Sequence, residues 1–210
     1  MKNKIIKIVL IIFTVLLIIP SVIYLFENQT VMGFSTYYDF FIEKNANRII
    51  STIIFLVLFI GMSIIYGIIA KQKIFKDIKE ILIYVLIVSA IFAIMLPWTS
   101  SDIFYYMGVG ELDSQYHQNP YYVTMKEYYN ENKNNIDDTI FEQGAKGYWA
   151  NTTVVYGPMA QLIFKLCTAI SFKNIDISLA VFKILNIIIH LANCYLIYKL
   201  SNKKIAILYG

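Results

Sequence analysis

The stretch Ser100 to Tyr122, SSDIFYYMGVGELDSQYHQNPYY, holds the residues best suited to chemistry. Asp102 is a lone acid that closely follows an apolar run ending in Leu96, Pro97 and Trp98. This places a carboxylate at a membrane–water boundary, among Trp98, Phe104, Tyr105 and Tyr106. At an ordinary value of about 3.9 an aspartate is ionised at neutral pH. Partial burial among rings would raise that value and make a better base. Such a group can take a proton from a sugar hydroxyl, or hold a divalent cation that faces a phosphate. The plainer role is helix capping, because Ser-Ser-Asp is good cap chemistry and an acid suits a first turn. One residue can do both.

Other polar residues are weighed against that carboxylate. If Asp102 to Tyr116 is helical, Asp113 falls on the face of Asp102 but roughly 16 Å away. Glu111 faces the opposite way, and solvated charge is the expectation for both. His117 sits in a loop beside Asn119 and Pro120. It suits a phosphate contact or proton transfer, and a surface histidine is the simpler reading. Lys183, Asn186, His190 and Asn193 are spaced 3, 4 and 3 apart, one helix face. Polar groups at membrane depth face a bundle interior or a wet cavity. They would receive a charged lipid head group or tie helices together.

The elements that must position these groups are membrane helices. The chain has 210 residues, 58% of them hydrophobic, and a net charge of +4. Mean hydropathy is +0.60. Ile8 to Phe26, Ile49 to Ala70 and Ile81 to Trp98 contain no Asp, Glu, Lys or Arg, and a span needs about 20 apolar residues. The expected fold is therefore all-α: an integral membrane helical bundle with a long outer loop and interfacial helices, multi-pass in the cell membrane. Most lysines flank the spans, so orientation explains them and no nucleic acid is implied. Lys2, Lys4 and Lys7 put the N-terminus in the cytoplasm, as do the four lysines of Lys71 to Glu80 for that loop.

Residues 99 to 155 carry eight acids against three lysines, which suits an outer face. Asn130 to Asp138 reads as a solvated turn. Tyr156 to Phe172 is apolar but short, with Lys165 at its centre. An embedded or interfacial helix, followed by a span from Ile177 to Leu200, keeps Lys199, Lys203 and Lys204 cytoplasmic. Gly157 would let the chain bend sharply or approach a phosphate there. The resulting organisation is 1–98, three spans; 99–176, outer loop and interfacial helices; and 177–210, a further span. Cys167 and Cys194 lie in apolar segments without metal or disulfide spacing.

The order of these motifs carries a resemblance. SSDIFYYMGVG, QNPYYV, an acidic loop, W-x-N-TTVVYGPMAQL and a helix ending in lysines together resemble the GT-C class of polyprenol-phosphate-sugar glycosyltransferases. The similarity is greatest to bacterial α-1,6-mannopyranosyltransferases, and covers about Pro97 to Gly210. It implies that Asp102 is the catalytic base. It implies that Asn119, Pro120 and Tyr121, with Tyr156, Gly157 and Pro158, shape a sugar and lipid-phosphate pocket. Tyr105, Tyr106, His117, Lys183 and His190 are the further candidate substrate contacts. The implied reaction is an inverting transfer of a mannose-like hexose from a polyprenyl-phosphate-linked donor to a glycan or lipid acceptor hydroxyl at the outer face. Glu111 departs from the pattern, since a basic residue is expected after the helix glycine. The chain also stops after about four spans, so an N-terminal portion is expected. The competing class is a non-catalytic membrane protein, such as a transporter fragment or partner subunit. A transporter would place charges at the midplane, whereas these acids cluster outside it.

Overall fold

The computed structural model describes residues 2–19, 45–71, 74–94, 102–201 and 209. Trp98 and Lys203 fall outside these residues. Eight α-helices are described: α1 (Lys2–Leu16), α2 (Asn45–Lys71), α3 (Ile78–Ile94), α4 (Asp102–Ser114), α5 (Met125–Asn132), α6 (Thr139–Lys146), α7 (Pro158–Ser171) and α8 (Ile175–Leu200). No strand is present among the described residues. The chain divides into two compact units. One contains α1 to α3 and α8 from residue 184 onward, and the other runs through residues 102–183.

In the first unit, Ile65, Ile69, Ile74, Phe75, Ile81, Val85 and Cys194 form a buried cluster, and Ile6, Val9, Leu10 and Phe13 of α1 pack onto it. Helix α1 begins ahead of the apolar run and takes in all three N-terminal lysines. Of these, Lys7 is buried. It forms an ion pair with Glu80 and lies over the rings of Phe75 and Tyr84. Glu80 also accepts the Lys76 N–H, and Asp77 accepts the Glu80 N–H at 2.9 Å, so the start of α3 is capped. The other face of α2 leaves Ile53, Leu56, Val57, Phe59, Ile60 and Ile64 exposed, an apolar stripe that water does not favour. Among the described residues α8 is long and apolar enough to cross a membrane, with 26 residues and a mean hydropathy of 1.9 over its best window.

The second unit is built around α4. Met107, Val109 and Leu112 are essentially inaccessible. Helix α6 covers one side of α4 and α7 the other. Both contacts are close because glycines line them. A Cβ on Gly108 would sit 3.2 Å from the Gly144 Cα, and one on Gly110 only 2.5 Å from the Phe164 carbonyl oxygen. The helix runs unbroken through both glycines, which let its neighbours approach. Asn130 to Asp138, expected as a solvated turn, is ordered secondary structure for much of its length. Helix α5 starts at a capping box of Thr124 and Glu127 and passes into a 3-10 turn at Lys133–Asn135. Asp138 then caps α6, accepting from the N–H groups of Ile140 and Phe141, and is itself buried.

Helix α7 has 14 residues, about 21 Å, against about 39 Å for α8. Pro158 occupies its first turn, where a missing N–H costs nothing. Phe172 and Lys173 end it in the left-handed region, at φ 51° and 61°. The Asn174 side chain then accepts from the Ile177 N–H and starts α8.

Candidate active site

Helices α4 and α7 are joined by a series of side-chain pairs along their lengths. Tyr106 stacks on Phe164 with ring centroids 4.9 Å apart. The Gln161 side-chain amide donates to the Val109 carbonyl at 3.1 Å. Lys165 pairs with Asp113 at 2.8 Å, and Ser114 and Thr168 share a hydroxyl bond at 3.0 Å. Lys165, the misfit in an apolar run, therefore pairs with the acid that lies too far from Asp102 to act with it.

Two motifs far apart in sequence meet beside the start of α4. The Asn119 side chain accepts from the Tyr121 N–H, an Asx turn that folds the loop back. The Pro120 carbonyl accepts from Val154 at 2.9 Å, and the Tyr121 hydroxyl donates to the Tyr156 carbonyl at 2.9 Å. From α4, Tyr105 donates to the Thr153 carbonyl, and Tyr106 shares a 3.2 Å hydroxyl bond with Tyr156. Tyr106 is pushed up to about 12, first by that bond, then by burial and by the charges of Tyr156 and Asp102. It stays a neutral phenol. Burial also raises Tyr105.

Asp102 is the first residue of α4 and is half-buried. The indole N–H of Trp149 donates to its Oδ1 at 3.1 Å. Tyr148 stands edge-on to that indole, at 4.8 Å and 87°, and both rings are exposed. The fixed carboxylate, the neutral phenol of Tyr106 and the aromatic rim provide a proton acceptor, a hydroxyl donor and apolar surface at one place. Among the described residues no three His, Cys, Asp or Glu side chains converge.

The remaining candidate residues are placed as follows. Pro120 is buried, whereas Asn119, Tyr121, Tyr156, Gly157 and Pro158 are exposed. Gly157 has φ −65°, and a Cβ there would meet open space, so the bend into α7 does not require glycine. His117 is exposed at φ 54° and makes no hydrogen bond among the described residues. Lys183 is half-buried in the second unit. His190 belongs to the first unit, where it packs on Tyr209, and Asn193 donates to the Tyr209 hydroxyl.

Glu111 corrects an expectation. It is fully buried rather than solvated, and both carboxyl oxygens lack a hydrogen-bond partner of normal geometry. Burial first, and then the neighbouring Asp138 carboxylate, push it up to about 10, while Lys173 opposes them weakly. It is therefore a neutral acid at pH 7. The Tyr116 hydroxyl donates to Asp138 at 3.0 Å, and its own acidity is suppressed by burial and that charge. The one signal for Trp149 in the sequence is the W-x-N preceding TTVVYGP, and nothing local predicts a partner 47 residues away.

A family model described as alpha-(1->6)-mannopyranosyltransferase, N-terminal domain, matches residues 9–205. No curated protein and no solved structure matches the chain.

Proposed function

The chain belongs to the alpha-(1->6)-mannopyranosyltransferase family, whose N-terminal domain it spans, and from that premise we propose that Asp102 is the general base of a mannosyl transfer from a polyprenyl-phosphate donor. The reading is supported most by one arrangement. Asp102 begins a buried helix and stays half-exposed, beside tyrosines from α4 and from the two loop motifs. The acceptor hydroxyl oxygen attacks the anomeric carbon from the face opposite the phosphate. The bond from that carbon to the phosphate oxygen breaks, and the polyprenyl phosphate leaves with the electron pair. The hydroxyl proton passes to Asp102. Inversion at the anomeric carbon follows from this single displacement.

The membrane setting in this reading is multi-pass. Helices α1, α2 and α3 are further spans beside α8, as the exposed apolar stripe of α2 suits a lipid-facing helix. Residues 99 to 155 lie on the outer side with the acceptor, and the N-terminus and Lys203 lie inside. Helix α7 is too short to cross and supports the site from beneath α4.

The test is Asp102→Asn in membranes carrying the full-length gene product, supplied with polyprenyl-phosphate mannose and an α-mannoside acceptor. Transfer is expected to fall by about 10² to 10⁴-fold, as for loss of a general base, with unchanged membrane abundance. Wild-type transfer by the variant would reduce Asp102 to a helix-terminal charge.

A further inference from the structure

We propose that Trp149 is a positioning residue of the transfer reaction, whose indole N–H orients the Asp102 carboxylate toward the acceptor hydroxyl. The inference rests on the reading of Asp102 as the base and goes one residue beyond it.

Three observations carry it. First, the 3.1 Å contact joins a ring nitrogen with one hydrogen to a carboxylate, and an indole can only donate. Hydrogen bonds to ionised groups are the strong ones, so this one restrains the carboxylate's rotation. Second, the indole is held from behind. Its carbonyl accepts from both the N–H and the hydroxyl of Thr152, at 3.0 and 2.6 Å. The next residue, Ala150, is buried, and its carbonyl accepts from Lys126 at 3.1 Å. Third, the separation between the two partners is set by the helix crossing. Trp149 follows α6 by three residues, and α6 lies close to α4 because Gly108 and Gly144 face each other and neither adds a side chain, the Met125 sulfur filling the space beside them. A rigid donor delivered by a glycine crossing is what a base needs to meet its substrate in one geometry.

Beside this pair, Tyr106 of α4 and Tyr156, from the turn before α7, share a hydroxyl bond at 3.2 Å.

The experiment compares wild type with Trp149→Phe in the full-length enzyme, and with benzothienylalanine at position 149, which keeps the bicyclic ring and replaces N–H by sulfur. The second variant covers the case in which phenylalanine leaves a hole. The expected result is a kcat about tenfold to a hundredfold lower in both, the loss of a hydrogen bond to a charged group. The donor KM should stay within about twofold, since an orienting contact of this kind acts on the transition state. Unchanged kcat in the sulfur variant would overturn the proposal. So would a donor KM that rises in step with the fall in kcat, or a loss of activity that tracks a loss of folded protein. Asp102→Asn run alongside separates the two readings. If that variant is inactive while the sulfur variant behaves as wild type, the base stands and the positioning role falls.

Discussion

Replacing Glu111 by glutamine should stabilise the second unit at neutral pH and have little effect in acid. Glu111 is fully buried without a hydrogen-bond partner of normal geometry and is held neutral up to about 10, against an ordinary 4.5. Burial is the main cause and the Asp138 carboxylate the second. A folded value raised above the unfolded one means that the fold binds a proton which the unfolded chain gives up. The contribution to stability is therefore full below 4.5 and is lost as pH rises toward 10. The slope is about 1.4 kcal/mol per pH unit, so wild type forfeits about 4 kcal/mol between pH 4.5 and 7.5. Glutamine has nearly the same shape and carries no such proton. Its amide can also donate to Asp138. The assay is thermal unfolding in detergent, followed by tryptophan fluorescence, which Trp149 reports for this unit. The gap in melting temperature between variant and wild type should widen by about 15 °C or more over that pH range. Parallel pH dependence in the two proteins would refute the reasoning. It would mean that Glu111 is ionised in the fold.

Two further predictions concern packing and orientation. Gly110→Ala should push α7 off α4, because the new Cβ would meet the Phe164 backbone at 2.5 Å, and cost about 1 to 3 kcal/mol in the same melts. Gly157→Ala, at φ −65° in open space, should change stability by less than about 0.5 kcal/mol; equal costs at both positions would contradict the close-approach argument. Asn134→Cys should react with an impermeant thiol reagent added outside intact cells, against a low background because Cys167 and Cys194 are buried. Labelling only from the cytoplasmic side would overturn the proposed topology.

Several features of this protein are local, and the sequence alone determines them. Apolar runs mark helices whatever lies beside them. Asp102 opens a helix because acids suit a first turn. A proline at its start and a short apolar run marked α7 as shorter than α8, at 14 against 26 residues. The asparagine-proline and glycine-proline turns were recognisable as breaks. The resemblance implies that the two stretches shape one pocket; the hydrogen bonds of Pro120 with Val154 and Tyr121 with Tyr156 follow from no spacing in the sequence.

What the tertiary structure decided depends on which faces of α4 are covered. A helical wheel says that Glu111 points away from Asp102, and an uncovered helix would have put it in water. Here α6 and α7 flank α4 on two sides, so both oxygens lose water and the acid keeps its proton. Locally, Gly108 and Gly110 are poor helix formers, each costing about 1 kcal/mol relative to alanine in a helix interior. In the fold they are where neighbouring backbones come within reach of one another. That crossing brings Trp149 to Asp102 across 47 residues of chain. Neither residue's local sequence encodes the contact, since its geometry belongs to the packing of two helices and not to either segment.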